Sequence, residues 1–470
     1  MVKRALLAIY TDGHFTELVR VARLLSRSKS YEPLVYFARL YPQKERDRAT
    51  CRREGWAVVD HAEVPTHATA PETTPGLPAL PRLARVKSLL RAAVVRLPFP
   101  FTVFRALFRQ GQQLRQARAV VAEHKPDVLI LAEDGVGYET ATLIRAAHQR
   151  NVPSVIVPFT VANALEPAEA YFLDPAYHVE RWTNRLAATV YPRWVYTHRG
   201  RRMLRMPAAQ LLAKEWFGLA PPLPWIMNSG AADALTVESS FMETYYRREG
   251  LPENKLVWTG ALYDDVLAEN RKNVSSRRAE LCAQLGLPAG RRIVVCALPP
   301  DQFSISGQQT DFPDYPAMVQ WWVRALAELH GWNVVVRLHP RMDAAEHRYL
   351  EDWGARICEW DTAALVPLAD LYVASVSATI RWAIACGIPV VNYDAYRLRW
   401  TDYADAPGVL RVEEKAEFVS IMRRLATDPA FYALVRQQQE SDARRWGQLD
   451  GRAGSRILRL IETLEVRVKN

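Results

Sequence analysis

Short runs of Val, Ile, Leu and Ala recur along the chain and alternate with stretches whose apolar residues fall at helical spacing. That alternation specifies βαβ units and hence a parallel sheet with helices on its faces. Ala5 to Tyr10 is the first such run. It is followed by Thr11-Asp12-Gly13-His14 and then by Phe15, Leu18, Val19, Ala22 and Leu25 on one helical face. Tyr31 to Ala38, Trp56 to Val59, Val128 to Ala132, Ser154 to Pro158, Thr236 to Ser239 and Leu256 to Thr259 continue the strand pattern. A second series contains Ile293 to Ala297, Val334 to Leu338, Leu371 to Ala374 and Val390 to Asn392.

Two series imply two sheets, because single cores stop growing beyond roughly 250 to 300 residues and this chain has 470. Residues 1–268 are expected to form one Rossmann-like domain, with a basic insertion near 66–118, and residues 279–454 a second. The polar stretch Glu269 to Arg278 lies between them, and residues 455–470 form a helix able to return to the first domain. Thr66 to Pro81, rich in Thr, Ala, Gly and Pro, reads as a loop. With 49% hydrophobic and 24% charged residues the composition is globular and excludes a disordered chain. The five scattered cysteines specify neither a disulfide framework nor a metal cluster. No apolar run approaches the roughly 20 residues of a membrane-spanning helix. No cleavage signal follows the first apolar run, so a cytoplasmic location is expected.

The formal charge is +10, and its distribution is uneven. No acidic residue occurs between Glu72 and Glu123, whereas Arg82, Arg85, Lys87, Arg91, Arg96, Arg105, Arg109, Arg115 and Arg118 are interleaved with Leu, Val and Phe. Tyr191 to Arg205 is a second basic and aromatic segment. Such a field suits an anionic membrane surface, an acidic substrate or a nucleic acid, and equally a solvated rim over an apolar core.

The motifs Val257-Trp258-Thr259-Gly260, Arg337-Leu338-His339-Pro340-Arg341, Ala369-Asp370 through Ser375 and Ser377, and Gly387-Ile388-Pro389-Val390-Val391 add a family likeness, with Gly13-His14-Phe15 as a weaker element. Together they resemble the glycosyltransferase-B (GT-B) superfamily, especially bacterial capsule or lipopolysaccharide glycosyltransferases and nonhydrolysing UDP-N-acetylglucosamine 2-epimerases. The resemblance implies an α/β GT-B architecture, two Rossmann-like domains with a ligand cleft between them. It also implies a nucleotide-sugar substrate bound by the C-terminal domain, and the basic and aromatic segments place a glycan or lipid-linked glycan acceptor on the N-terminal side. UDP-sugar enzymes of this kind commonly carry Glu-Ala before the Gly-x-Pro turn to hold the ribose. The matching pair here is Trp382-Ala383. Thr379, Arg381 or Trp382 would then compensate, or the donor carries another nucleotide such as CMP.

Candidate site residues follow the strand ends. His14 can accept the proton of an attacking hydroxyl, since imidazole titrates near 6.5; alternatively it caps its helix or bonds the loop. Glu133 and Asp134 end a buried strand, and neighbouring carboxylates can raise one pKa into the range of a general base. Asp134 is preferred as catalytic base, with capping of the helix near Tyr138 as its alternative role. Glu139 is expected to face the cleft or solvent. Arg337, His339 and Arg341 offer charge-assisted donors to a departing phosphate, and Ser375, Ser377 and Thr379 lead into a helix start that can hold phosphate. Ala162-Asn163-Ala164-Leu165-Glu166, with Glu180 and Asn184-Arg185, matches the epimerase pattern poorly. The absence of HExxH, DxD and clustered cysteines leaves no metal site, and no Walker A or complete dinucleotide motif supports ATPase or NAD chemistry.

The expected function is therefore metal-independent transfer of a sugar from a CMP- or UDP-linked donor to a bacterial surface polysaccharide or lipopolysaccharide. No further cofactor and no nucleic acid partner are expected. Peripheral association with the inner face of the cell membrane would bring the enzyme to its acceptor. A nucleotide-sugar 2-epimerase and a non-enzymatic glycan-binding protein are the alternatives.

Overall fold

A computed structural model describes residues 2–60, 99–161, 164–303, 310–339 and 342–469, with side chains as far as 464. The basic residues Arg82, Arg85, Lys87, Arg91 and Arg96, the Thr66 to Pro81 loop, Asn163 and Arg341 lie outside the described residues. Two parallel sheets organise the chain. The first contains β1 (Lys3–Ile9), β2 (Tyr31–Phe37), β3 (Ala57–Asp60), β4 (Val128–Leu131) and β5 (Ser154–Ile156). After the antiparallel hairpin β6 (Val195–His198) and β7 (Arg201–Leu204), it is completed by β8 (Ala234–Val237) and β9 (Leu256–Trp258). Its order is β3-β2-β1-β4-β5-β8-β9.

The second sheet contains β10 (Arg292–Ala297), β11 (Trp332–Arg337), β12 (Ala355–Ile357), β13 (Leu371–Ala374), β14 (Val390–Tyr393) and β15 (Val409–Val412), in the order β12-β11-β10-β13-β14-β15. Every pairing within both sheets is parallel. Strands buried on both faces read as continuous apolar runs, which is why β1, β4, β10 and β13 were visible in the sequence. In each sheet the strand order reverses once, between β1 and β4 and between β10 and β13. Ligands of open α/β sheets bind at the carboxyl ends of strands flanking such a reversal.

The polar segment 269–278 is helical. It joins the end of Leu262–Lys272 to the start of Val274–Leu285, breaking only at Asn273. Leu267, Ala268, Leu281 and Cys282 give these helices a buried face, while Arg277 stacks over Trp360 at 4.2 Å. The final helix, Ala453–Lys469, lays Ile457, Ile461 and Leu464 into the core formed by Leu7, Leu18, Val21 and Leu25 of the first sheet region.

A buried charged junction connects the two sheet regions. Arg381, on the helix Ile380–Ala385, is 1% exposed and donates to Asp264 Oδ1 at 2.7 Å and to the Trp446 carbonyl. This corrects its expected role in nucleotide binding: its guanidinium is spent on the junction, not on the cleft. Asp265, the next residue, accepts from the Ala453 and Gly454 backbone N–H groups at 2.9 Å and so caps the final helix. A Cβ on Gly447 would stand 2.8 Å from the Ala385 Cβ, so only glycine lets the chain pass this point.

Glu17 and Glu238 adjoin the same junction, and Glu17 Oε1 and Glu238 Oε2 have no hydrogen-bond partner among the described residues. Burial pushes each carboxyl up to about 7, with Arg20 pulling Glu17 and Arg381 pulling Glu238 the other way. The folded protein therefore retains protons that the unfolded chain releases above about 4.5, so stability falls as pH rises from there to about 7 and levels off beyond. Each group costs on the order of 1 to 3 kcal/mol at pH 8. Replacing Glu17→Gln and Glu238→Gln together is expected to flatten the profile and raise the urea midpoint at pH 8 relative to pH 5. Parallel pH profiles for the wild type and the double variant would contradict this account.

Candidate functional site

The reversal in the first sheet brings two of the expected residues together. His14 occupies the first turn of the helix Asp12–Ser28, whose N-cap Thr11 accepts from the His14 backbone N–H through its side chain at 3.3 Å. Gly13 lets the turn pass close to Phe159, since a Cβ there would approach that ring to 3.0 Å and press it aside. Glu133 follows β4 across the reversal, and its Oε1 lies 2.9 Å from His14 Nε2. Both side chains are buried, and the imidazole is held edge-on to Tyr138 and tilted against Phe159, each 5.0 Å away between centroids. His14 Nδ1 has no hydrogen-bond partner among the described residues. With Nε2–H donating to the carboxylate, Nδ1 presents a lone pair; this is the arrangement of a base with its orienting acid.

Asp134 is corrected from catalytic base to loop anchor. Its buried carboxylate accepts from Ser229 N, from Ser229 Oγ at 3.0 Å, from Ala231 N at 2.7 Å and from Ala232 N at 3.1 Å. Burial raises its pKa and these donors lower it, with burial dominant. Saturated by four donors, the carboxylate has no free oxygen for an acceptor hydroxyl. Nor does it cap the helix Thr140–His148, whose N-cap position is Glu139 without a side-chain cap bond. Glu139 keeps the expected partial exposure, its side chain 35% exposed while paired with Lys214. Burial opposes its charge, but Lys214 at 3.1 Å and Gln110 at 3.2 Å hold its carboxyl below the ordinary value.

Asn184 is structural: it donates to the Ala176 and His178 carbonyls at 2.8 Å and accepts from Ala208 N. Glu166 is different: its side chain reaches the surface, yet partial loss of solvation, then Glu133 and Asp402, raise its carboxyl above the ordinary range, and Arg205 opposes them. It belongs electrostatically to the neighbourhood of the dyad.

In the second sheet Arg337 ends β11 half-buried, its Nε without a partner among the described residues, while Leu338 packs into the core. His339 follows, also half-buried. Across the reversal, Ser375 follows β13 with its Oγ buried and unpartnered among the described residues. Val376 adopts φ 45°, a left-handed conformation that a β-branched residue rarely takes. Its N–H donates to Asn392 Oδ1 at 2.9 Å. Thr379 is bound to Tyr372 at 2.6 Å and to Ser377 at 2.8 Å, so these hydroxyls knit the loop together. Ile380–Ala385 has only six residues, which leaves little of the helix dipole expected to help hold phosphate. Trp382 packs on Tyr263 with centroids 4.8 Å apart.

A cavity of about 400 Å³ adjoins both halves, lined by Leu165, Glu169, His198 and Arg199 and by the run Arg397 to Trp400. Neither His14 nor Glu133 lines it, and the chemistry points to the dyad rather than to this cavity. Arg397 is paired with Asp311 and Glu414, and Arg199 with Glu169, so these lining charges are largely neutralised locally. Among the described residues no cluster of three or more His, Cys, Asp or Glu has metal-binding geometry.

Sequence reasoning missed the partnership of His14 with Glu133, the two residues being 119 positions apart. It also missed Arg205, which leaves the β6–β7 hairpin toward Tyr171 and Trp225. The basic and aromatic segment Tyr191 to Arg205 was the available signal, but nothing in it sets Arg205 apart from the neighbouring arginines.

No protein-family model and no curated protein sequence matches the chain. Solved structures do. A glycosyltransferase of kitacinnamycin is similar over 99% of this chain and 100% of its own, with 16% identity and a TM-score of 0.52. The UDP-GlcNAc 2-epimerase from Neisseria meningitidis, bound to UDP-GlcNAc, is similar over 98% and 100%, with 11% identity and a TM-score of 0.52. A variant of the wall teichoic acid polymerase TagF is similar over 100% and 90%, with 10% identity and a TM-score of 0.53. At such identities the likeness establishes architecture rather than reaction. The chain has the GT-B fold, two Rossmann-like halves each built on a parallel sheet, that these glycosyltransferases and epimerases share.

Proposed function

We propose that the protein is a glycosyltransferase that moves a sugar from a nucleotide-sugar donor to a glycan acceptor of the bacterial cell surface. The observation that carries the reading is the His14–Glu133 pair at the reversal of the first sheet. His14 takes the proton from the acceptor hydroxyl as its oxygen attacks the anomeric carbon. Glu133 stabilises the resulting imidazolium. The bond from the anomeric carbon to the phosphate oxygen breaks, and the nucleotide leaves with its negative charge met by Arg337 and His339 at the end of β11. Trp382 in place of a ribose-holding Glu favours CMP or a differently held UDP as the nucleotide. These residues supply the acid, base and electrostatic roles themselves, and the transfer is proposed to need no metal.

Incubation with UDP-, CMP- and GDP-sugars and glycan acceptors, read by product mass, tests this, with one arm in EDTA. Transfer that survives EDTA is expected; transfer from no donor overturns the reading, and isomerisation of UDP-GlcNAc without acceptor replaces it with epimerase. His14→Ala is expected to lower turnover by roughly 10² to 10⁴-fold, far more than the fall in melting temperature from stranding the buried Glu133 carboxylate accounts for. Asp134→Asn is expected to do the reverse, lowering the melting temperature first, since it leaves buried donors of 229–232 poorly satisfied.

Peripheral membrane association is part of the proposal. Among the described residues, seven of the twelve exposed large apolar side chains lie on three helices: Phe101, Phe104 and Phe108 on Phe99–His124, Trp182, Leu186 and Val190 on Trp182–Val190, and Trp216 on Ala208–Trp216. These helices adjoin one another: Phe99 packs edge-on to Trp182 at 5.5 Å, and Gly111 lies against Phe217. The long helix is amphipathic in an inverted sense. Leu114, Ala117 and Val121 face the core, while the phenylalanines stand outward beside Arg105, Arg109 and Arg115. An apolar patch with a basic border fits an anionic bilayer surface. Among the described residues no helix is long and apolar enough to cross a membrane. Sedimentation with phosphatidylglycerol vesicles should pull the protein down in a salt-sensitive manner, and Phe104→Ser with Phe108→Ser should abolish it. Equal absence from anionic and neutral vesicles contradicts membrane docking.

A further inference from the structure

Arg205 stands apart from the arginines around it. Arg193 is paired with Glu215 at 2.8 Å, Arg199 with Glu169, and Arg201 donates to the Phe172 carbonyl at 3.2 Å. The Arg205 side chain has no ion pair or hydrogen bond among the described residues, and its Nε is buried without a partner. A buried N–H left unbonded costs about 1 to 3 kcal/mol, and a guanidinium cannot relieve the cost by losing its proton. The fold nevertheless holds it firmly. Its carbon lies 5.3 Å from the Tyr171 ring centroid and 5.9 Å from that of Trp225. Tyr171 is stacked on Tyr177 at 4.2 Å, and Trp225 is fixed by its indole N–H donating to the Trp194 carbonyl at 2.7 Å. The backbone N–H of Arg205 donates to that same carbonyl. The cation is therefore preorganised before any ligand arrives.

Its position is equally specific. The Arg205 Nη2 stands 3.8 Å from where a Cβ on Gly137 would lie, so the guanidinium reaches the loop that begins with Glu133. Glu166 is the nearby acid: its side chain reaches the surface and is attracted by Arg205 without forming an ion pair with it, while desolvation, Glu133 and Asp402 raise its carboxyl above the ordinary range. A half-buried, unpaired fork of N–H donors beside rigid aromatic rings is suited to a planar or tetrahedral anion carried on a sugar ring.

We propose that Arg205, with Tyr171 and Trp225, forms an acceptor subsite for an anionic substituent, a phosphate or a carboxylate, on the glycan. The proposal rests on the reading of the adjoining dyad as the transfer site, and it specifies the acceptor as an acidic saccharide. The anion is gripped by Nε–H and Nη2–H while the rings pack against the sugar. This places the neighbouring hydroxyl toward the His14 side of the cleft and selects against neutral glycans.

Binding measured directly, without turnover, separates this proposal from the transfer reading. Calorimetry with methyl glucuronide, methyl glucoside 6-phosphate and methyl glucoside is expected to give at least tenfold tighter binding of one or both charged sugars than of the neutral one. The tighter of the two charged ligands identifies the substituent. In protein labelled with ¹⁵N-arginine, the Nε–H resonance absent from Arg205→Lys should shift on adding that ligand. Arg205→Gln should lose the preference and Arg205→Lys retain part of it, because a lysine supplies charge without the fork. Unchanged melting of Arg205→Lys confirms that the fold survives. Binding of charged sugars that is no tighter than neutral, absent altogether, or unchanged in both variants overturns the proposal, whether or not the protein transfers sugar.

Discussion

The pair Asp264-Asp265 is the contact on which the arrangement of the two halves depends. Asp264 meets Arg381 from the second sheet region inside a site from which water is excluded, and Asp265 caps the helix that returns to the first. A buried ion pair is weak evidence for net stability, since desolvation offsets much of the attraction, but losing one partner strands the other. Here it acts as a register. Arg381 also binds the Trp446 carbonyl, and Trp446 stacks on Phe241 at 3.9 Å, so the linker, the second half and the returning chain are fixed at one point. Burying Glu17 and Glu238 beside this pair adds a proton-dependent cost, which the surrounding apolar core tolerates.

That junction links two halves that each carry a reversal point. The first carries a base–acid pair whose geometry is set by Phe159, Tyr138 and the tight Gly13 turn. The second carries a half-buried arginine, a strained Val376 and a Ser375 hydroxyl without a partner among the described residues. Strain and unsatisfied polar groups gather where a site is preorganised for a ligand. In the proposed transfer the two sets of residues would divide the labour: proton removal on one side, stabilisation of a leaving anion on the other. Arg205 and the outward phenylalanines lie on the first side, the one proposed to meet a negatively charged sugar and the other a bilayer.

Much of the fold was legible because parallel strands are buried on both faces and appear as uninterrupted apolar runs. Val128 to Leu131 and Val390 to Val391 needed no long-range information to be read as strands. Charged residues were harder. Asp134 and Glu133 are adjacent at the same strand end, and local sequence cannot tell which one turns toward His14 and which toward the 229–232 loop. The same difficulty applied to Arg381, whose place in a helix after Ser375 and Thr379 suggested nucleotide contact. Its partner Asp264 lies 117 residues away.

The sequence by itself determined the alternation of strands and helices, the two sheets, the glycine turns and the pool of polar residues at strand ends, because these follow from periodicity and local backbone preference. Only the tertiary structure decided which of those polar residues face one another. It paired His14 with Glu133, saturated Asp134, committed Arg381 to the junction and left Arg205 unpaired among the described residues. The physical reason is that a carboxylate or guanidinium takes its role from the donors, acceptors and exclusion of water around it, and here those partners come from distant parts of the chain.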